Sequence, residues 1–270
     1  MLKDITLGQY YPGDTLVHRL DPRTKLILTL IYIAALFTAV VYAGYFLVLL
    51  FLAVSILVSR IRLRNILSGL KPLIIIVLIT GILNLFYTKG EHLLVHFWRI
   101  SIYWEGVETA VFMALRIMLL IAGTLLLTYT TSPLQLTDGL ESLLNPLKKI
   151  HVPVHELAMM MSIALRFIPT LIEETDKIMS AQRARGADFE TGGLIAKAKA
   201  KAMLPLLIPL FVSAFRRADE LATAMESRCY HGGEGRTRMK QLSMARRDWI
   251  ALAAGVLLLA LVILFRRLGI

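Results

Sequence analysis

Between Leu26 and Ser59 the chain carries no charged residue. As one helix those 34 positions would extend ~51 Å at ~1.5 Å per residue, far beyond the ~30 Å hydrocarbon core of a bilayer. The segment therefore has to fold back on itself as two spans. The break falls at Tyr42-Ala43-Gly44-Tyr45, where glycine relaxes the helix and two tyrosines suit a membrane interface.

Composition points the same way. The 57% hydrophobic content stands above the roughly 45–50% of soluble domains. A third uncharged run lies between Lys71 and Lys89, a fourth apolar stretch covers Val107–Thr130 with Arg116 inside it, and a fifth lies between Asp248 and Arg266. The expected fold is all-α and polytopic, with about five transmembrane helices. The first 24 residues mix Lys3, Arg19 and Arg23 with Asp4, Asp14 and Asp21, a pattern unlike a cleaved leader. Cys229 is the only cysteine, so no intrachain disulfide can form.

Basic residues in short loops set orientation. Arg60, Arg62, Arg64 and Lys71 follow span two without any acid, and Arg19, Arg23 and Lys25 abut span one. Both places read as cytoplasmic. The first hairpin loop is uncharged and the loop after span three balances its charges, so both read as external. Five spans then leave Arg266 and Arg267 outside, against the same rule.

Residues 133–248 hold 17 of the 30 basic and 13 of the 19 acidic residues. The organisation expected is an amino-terminal segment with helices one to four over 1–130, a cytoplasmic region over 131–247 and a last span over 248–270. Within the middle region a short helix is expected from Pro133 to Ile150, capped by Ser132 and broken at Asn145-Pro146. Apolar residues at helical spacing from Leu157 to Met179 predict an amphipathic helix from about Val154 to Arg185. Gly186 and Gly192-Gly193 end it, and a second long helix runs from about Leu194 to Tyr230, stopped by His231-Gly232-Gly233. The stretch His231 to Lys240 reads as a linker.

Few residues suggest chemistry. His92 with His96, and His151 with His155 and Glu156, have i,i+4 spacing, but neither is HExxH and neither offers a third ligand. No metal is expected. Gly232 to Thr237 lacks the order of a phosphate-binding loop, so no nucleotide is expected on this chain. Arg116 lies within an apolar span, where an unpaired charge is costly, and is expected to pair with neighbouring helices. Pro205 and Pro209 fall four apart inside the last long helix, so they should bend one side of it and mark a candidate hinge. Met159, Met160, Met161, Met179 and Met203 form an adaptable apolar surface that by itself reads as packing.

Ala184-Arg185-Gly186 and Ser227-Arg228-Cys229 each put an arginine at a helix carboxyl end between small neighbours. The helix dipole alone favours that placement, by ~0.3–1 kcal/mol. Small flanks also let a guanidinium enter a groove on another protein.

With these motifs, the sequence resembles the transmembrane T component of energy-coupling factor transporters, vitamin and metal-ion importers of the ATP-binding-cassette superfamily. The resemblance rests on the stretch from Gln9 to Thr15, on His18-Arg19-Leu20-Asp21-Pro22-Arg23-Thr24-Lys25, on Ala164-Leu165-Arg166-Phe167-Ile168-Pro169 and on the two arginine tripeptides. It implies that Arg185 and Arg228 end crossing coupling helices, each arginine entering a groove on one of two ATP-binding subunits. It further implies one membrane-embedded S component that selects the vitamin or other micronutrient and packs on the helix faces carrying Met160, Met161, Leu165, Ile168 and Ile172. ATP and Mg would be used by the partner subunits, with no cofactor held by this chain. The implied setting is a bacterial or archaeal cell membrane, in contact with lipid and not with nucleic acid. The second tripeptide departs from Ala-Arg-Gly, though serine and cysteine remain small. The competing readings are a membrane-integral enzyme, against which the lack of a convergent acid, base or nucleophile set argues, and a stand-alone transporter, for which polar residues within the spans are too few.

Overall fold

A computed structural model describes residues 10–88, 93–97, 100–187, 196–232 and 242–268. The architecture is helical and multi-pass: α1 (Pro22–Thr38), α2 (Tyr42–Ser59), α3 (Leu63–Leu70), α4 (Ile74–Tyr87), α5 (Trp104–Thr130), α6 (Pro133–Leu144), α7 (Val154–Ala184), α8 (Ala196–Glu226) and α9 (Arg246–Leu268). A short antiparallel hairpin, β1 (Leu93–Phe97) and β2 (Ile100–Tyr103), precedes α5. The sequence predicts only a loop there, although both strands are rich in the branched and aromatic residues that favour a pleated surface.

The chain divides into two compact units, one comprising Gly8–Leu140 with Leu242–Ile270 and the other containing Glu141–Gln241. The division thus falls about ten residues beyond the end of α5, inside α6.

In the first unit α1 is the central element, packed against α9 and α5 and, over a shorter length, α2. Its buried Tyr32, Ala35 and Leu36 meet Val48 and Leu52 of α2, Leu119 and Leu126 of α5, and Leu258 and Val262 of α9 in one core. Close approach depends on two glycines. The Tyr32 hydroxyl donates to the Leu119 carbonyl at 2.8 Å, and its ring occupies the space a Cβ on Gly123 would need. A Cβ on Gly255 would meet Leu28 Cδ2 at 2.6 Å. Outward, α2 and α4 expose Leu49, Val54, Leu57, Ile75, Leu78 and Phe86, as a lipid-facing surface requires.

Among the described residues, five helical segments are long and apolar enough to cross a membrane: α2, α3 with α4, α5, α7 and α9. The number matches expectation and the membership differs. The 17 residues of α1 make only ~26 Å of helix, and α7, expected as part of the cytoplasmic region, meets the length and apolarity requirement itself.

The expected pairing of Arg116 takes a definite form. Its Nε donates to the Tyr45 hydroxyl at 3.0 Å and its Nη2 to the Ala39 carbonyl at 3.2 Å, with the Phe37 and Tyr45 rings close by. Side chains on a helix lean toward its amino terminus. Arg116 accordingly reaches from within α5 to the α1–α2 connection and ties the hairpin shut.

The short helix after α5 follows its sequence signals. Ser132 Oγ accepts from the Gln135 N–H and Gln135 Oε1 accepts from the Ser132 N–H, both at 3.3 Å, a reciprocal capping box. Asn145–Ile150 tightens to a 3-10 segment at the Asn145-Pro146 break.

Candidate functional site

The second unit is built on α7 and α8. Val154–Ala184 and Ala196–Glu226 agree with the expected long helices to within a few residues. Helix α7 passes through Pro169, and α8 through Pro205 and Pro209, without interruption. The Gly192-Gly193 pair and residues 233–240 of the expected linker lie outside the described residues.

Both helices end in the same way. At the end of α7 the Gly186 N–H donates to the Arg183 carbonyl at 3.0 Å and the Ala187 N–H to the Gln182 carbonyl at 3.0 Å, with Gly186 left-handed at φ +86°. At the end of α8 the Cys229 N–H donates to the Glu226 carbonyl at 2.9 Å and the Tyr230 N–H to the Met225 carbonyl at 3.1 Å, with Cys229 left-handed at φ 57°. These are two Schellman motifs in identical register. Arg185 and Arg228 occupy the last cap position of each, and both are exposed.

That geometry gives the small third residue of each tripeptide a backbone reason. The position after the cap must be left-handed, which glycine adopts freely and a residue with Cβ adopts at some cost. Cysteine at 229 is thus a true stand-in for glycine in conformation as well as in size.

Between the helices lies a polar clasp. Arg217 Nη2 of α8 donates to Glu174 Oε2 of α7 at 3.1 Å, the Ser213 hydroxyl donates to the other Glu174 oxygen, and the Arg217 guanidinium stacks over Phe167 with Cζ 5.6 Å from the ring centre. Glu174 and Arg217 each lie eleven positions before the arginine of their own helix. Three helical turns, ~16 Å, separate clasp from tip on both sides. Beside the clasp Ile163 and Phe167 face Ala214, Ala218 and Leu221 across a cavity of about 260 Å³.

Of the five residues the resemblance assigned to an apolar contact face, Met160 and Met161 are exposed, while Leu165, Ile168 and Ile172 are half-buried. A larger apolar face went unassigned. On α8, Leu204, Leu207, Ile208, Phe211 and Phe215 are all exposed, Phe215 by 68%. Their spacing of three and four was the available signal.

The histidine pairs do not assemble. His151 is exposed with φ 61°, and the His155 Nδ1–H donates instead to Glu141 Oε1 at 3.0 Å. His92 lies outside the described residues, and His96 belongs to a strand rather than a helix. Among the described residues no three His, Cys, Asp or Glu side chains converge as a metal site.

The amino-terminal motif of the first unit is a polar knot. Lys25 Nζ donates to the Thr130 carbonyl at 2.8 Å and to the His18 carbonyl at 3.1 Å. Asp21 Oδ1 caps α1 by accepting from the Arg23 N–H. Asp248 Oδ1 accepts from the Asp21 N–H and its Oδ2 from the Ala245 N–H, each at 2.8 Å. Asp21, Lys25 and Asp248 are all buried. The amino ends of α1 and α9 and the carboxyl end of α5 therefore meet at one end of the unit, where Arg60 caps α2, Arg62 caps α3 and Arg64 lies in the first turn of α3.

The chain matches the cobalt transport protein family CbiQ over residues 13–240. It is 57% identical to the energy-coupling factor transporter transmembrane protein EcfT of Clostridium kluyveri over 98% of both chains. The corresponding proteins of Bacillus subtilis and Lactococcus lactis subsp. cremoris are 48% and 45% identical, over 98% and 99% of this chain and the full length of each relative.

Proposed function

The chain belongs to the family of transmembrane components of energy-coupling factor transporters, and from that premise we propose that it is the mechanical coupler of a micronutrient importer. Arg185 and Arg228 each dock into a groove on one of two ATP-binding subunits, which use ATP and Mg, while this chain holds no cofactor. A single membrane-embedded S component packs on the exposed apolar faces of α7 and α8, centred on Met160, Met161 and the Leu204 to Phe215 stripe, and selects the vitamin or other micronutrient. The amino terminus and the α7–α8 region face the cytoplasm of a bacterial or archaeal cell. The basic end of the first unit supports this orientation, since Arg19, Arg23, Arg60, Arg62 and Arg64 share it and positive loops stay inside.

The observation that carries the proposal is the pair of matching Schellman caps. Each fixes an exposed arginine at the very tip of a long helix, where the guanidinium already gains from the helix dipole and can form a bidentate contact. Closure of two ATP-binding subunits would move both tips, and the Glu174–Arg217 clasp would pass that motion between the helices. Replacing Arg185 and Arg228 by alanine together should abolish co-purification of the ATP-binding subunits while the chain still inserts into membranes at parental abundance. Undiminished pull-down by the double variant would refute the assignment.

A further inference from the structure

A cavity of about 320 Å³ opens at the basic end of the first unit, lined by Tyr11, Thr15, His18, Arg60, Arg62 and Asn65 among others. We propose that it holds the phosphate-bearing headgroup of an anionic phospholipid, whose acyl chains lie along the exposed apolar faces of α2 and α3. The inference rests on the multi-pass fold and is independent of the coupling to ATP-binding subunits.

Charge is the first argument. Arg60 and Arg62 line the cavity, no acidic residue does, and neither arginine forms an ion pair or side-chain hydrogen bond among the described residues. Elsewhere at this end Lys25 is committed to carbonyls and Arg19 to Asp14 at 3.8 Å, while Arg64 does not line the cavity. The His18 ring is spent as well, its Nε2–H donating to the Tyr11 carbonyl at 3.1 Å and its Nδ1 accepting from Thr15 at 2.6 Å. Two uncommitted guanidiniums, with the Asn65 amide beside them, suit one phosphodiester. Arg60 lines the cavity although its backbone is left-handed, φ 54°, a conformation uncommon for a residue with Cβ.

Position and size select a lipid over a free anion. Immediately before Arg60 on α2, Val54, Leu57 and Val58 are exposed, and Leu63 and Leu67 continue the apolar surface on α3. A molecule seated among Arg60, Arg62 and Asn65 finds polar walls at its head and an apolar column at its tail. The cavity, at about 320 Å³, also exceeds what an inorganic phosphate fills. Basic pockets between membrane helices recognise anionic headgroups in this manner.

The test uses the full chain reconstituted in phosphatidylcholine vesicles with or without phosphatidylglycerol, extracted in mild detergent and examined by native mass spectrometry. The parent chain should keep phosphatidylglycerol in preference to phosphatidylcholine, and rising salt should weaken only the former. Arg60→Gln with Arg62→Gln should lower phosphatidylglycerol retention about twenty-five-fold, at about five-fold per basic residue, and leave phosphatidylcholine unchanged. Arg266→Gln with Arg267→Gln removes equal charge from the end of α9 and should retain the lipid like the parent. Equal retention of the two lipids, equal loss in both double variants, or no salt dependence in the parent overturns the proposal. So does retention of inorganic phosphate, in place of lipid, by chain taken from phosphatidylcholine vesicles in phosphate buffer. Loss of the ATP-binding subunits with lipid retention intact would assign the arginines to a protein partner and overturn it too.

Discussion

Asp248, in the first turn of α9, accepts the backbone N–H of Asp21, which lies 227 positions earlier in the chain, at 2.8 Å. Its second oxygen accepts the Ala245 N–H, so one carboxylate caps its own helix and secures the start of another. Asp248→Ala leaves two buried or half-buried donors without partners, at ~1–3 kcal/mol each, and removes a nearby anion from buried Lys25. The variant should lose about 3 kcal/mol, seen as a lower unfolding midpoint of the detergent-purified chain. Asp248→Asn keeps one acceptor and should fall between the two.

The two helix tips make opposite predictions at the residue after each arginine. Gly186→Ala forces a Cβ into left-handed backbone and should destabilise the α7 terminus by about 1 kcal/mol. Cys229→Gly relieves the same strain and should stabilise the α8 terminus by a similar amount. Hydrogen exchange at the Ala187 and Tyr230 amides, the outer bonds of the two motifs, reads both changes directly.

Arg217→Ala removes the cation from Glu174 and the stacking partner from Phe167. A charged hydrogen bond in a half-buried site stabilises by about 2 kcal/mol. The tips of α7 and α8 should then move independently, so spin labels placed near Arg185 and Arg228 should report a broadened distance distribution. Arg217→Lys, which keeps the charge but not the planar stack, should restore part of the order.

A pH effect follows from His18. Burial holds its imidazole below the ordinary value, opposed by the hydrogen bond to the Tyr11 carbonyl, with Lys25 lowering it further and Asp14 raising it. The unfolded chain therefore takes up this proton first as pH falls. The stability associated with neutral His18 is present above about 6.5 and is lost as pH descends through the depressed folded value. Thermal unfolding should show a decline over that mildly acidic range, and His18→Gln should flatten it.

What the sequence made legible is what local rules govern. The Ser132 cap, the Asn145-Pro146 break, the extents of α7 and α8 and the placing of an arginine at each end all follow from periodicity and punctuation within a few residues. What it hid depends on partners distant in sequence. Asp248 reads merely as the charged edge of a span, since its partner Asp21 lies on another helix. Arg116 announces that it needs acceptors, yet only packing reveals Ala39 and Tyr45 as those acceptors. Cysteine at 229 gives no local sign of left-handed backbone, because that region normally selects glycine. The apolar stripe of α8 was visible at helical spacing but was obscured by the lysines ahead of it and the prolines within it.

The bond between Asp21 and Asp248 also bears on biogenesis. A ribosome delivers α1 to the membrane long before α9 exists, so for most of synthesis the Asp21 amide lacks its acceptor and the α1 surface around Leu28 lacks the helix that covers it. The first helix is thus finished by the last. Chains stalled or cleaved before Arg246 should therefore carry an incompletely satisfied α1.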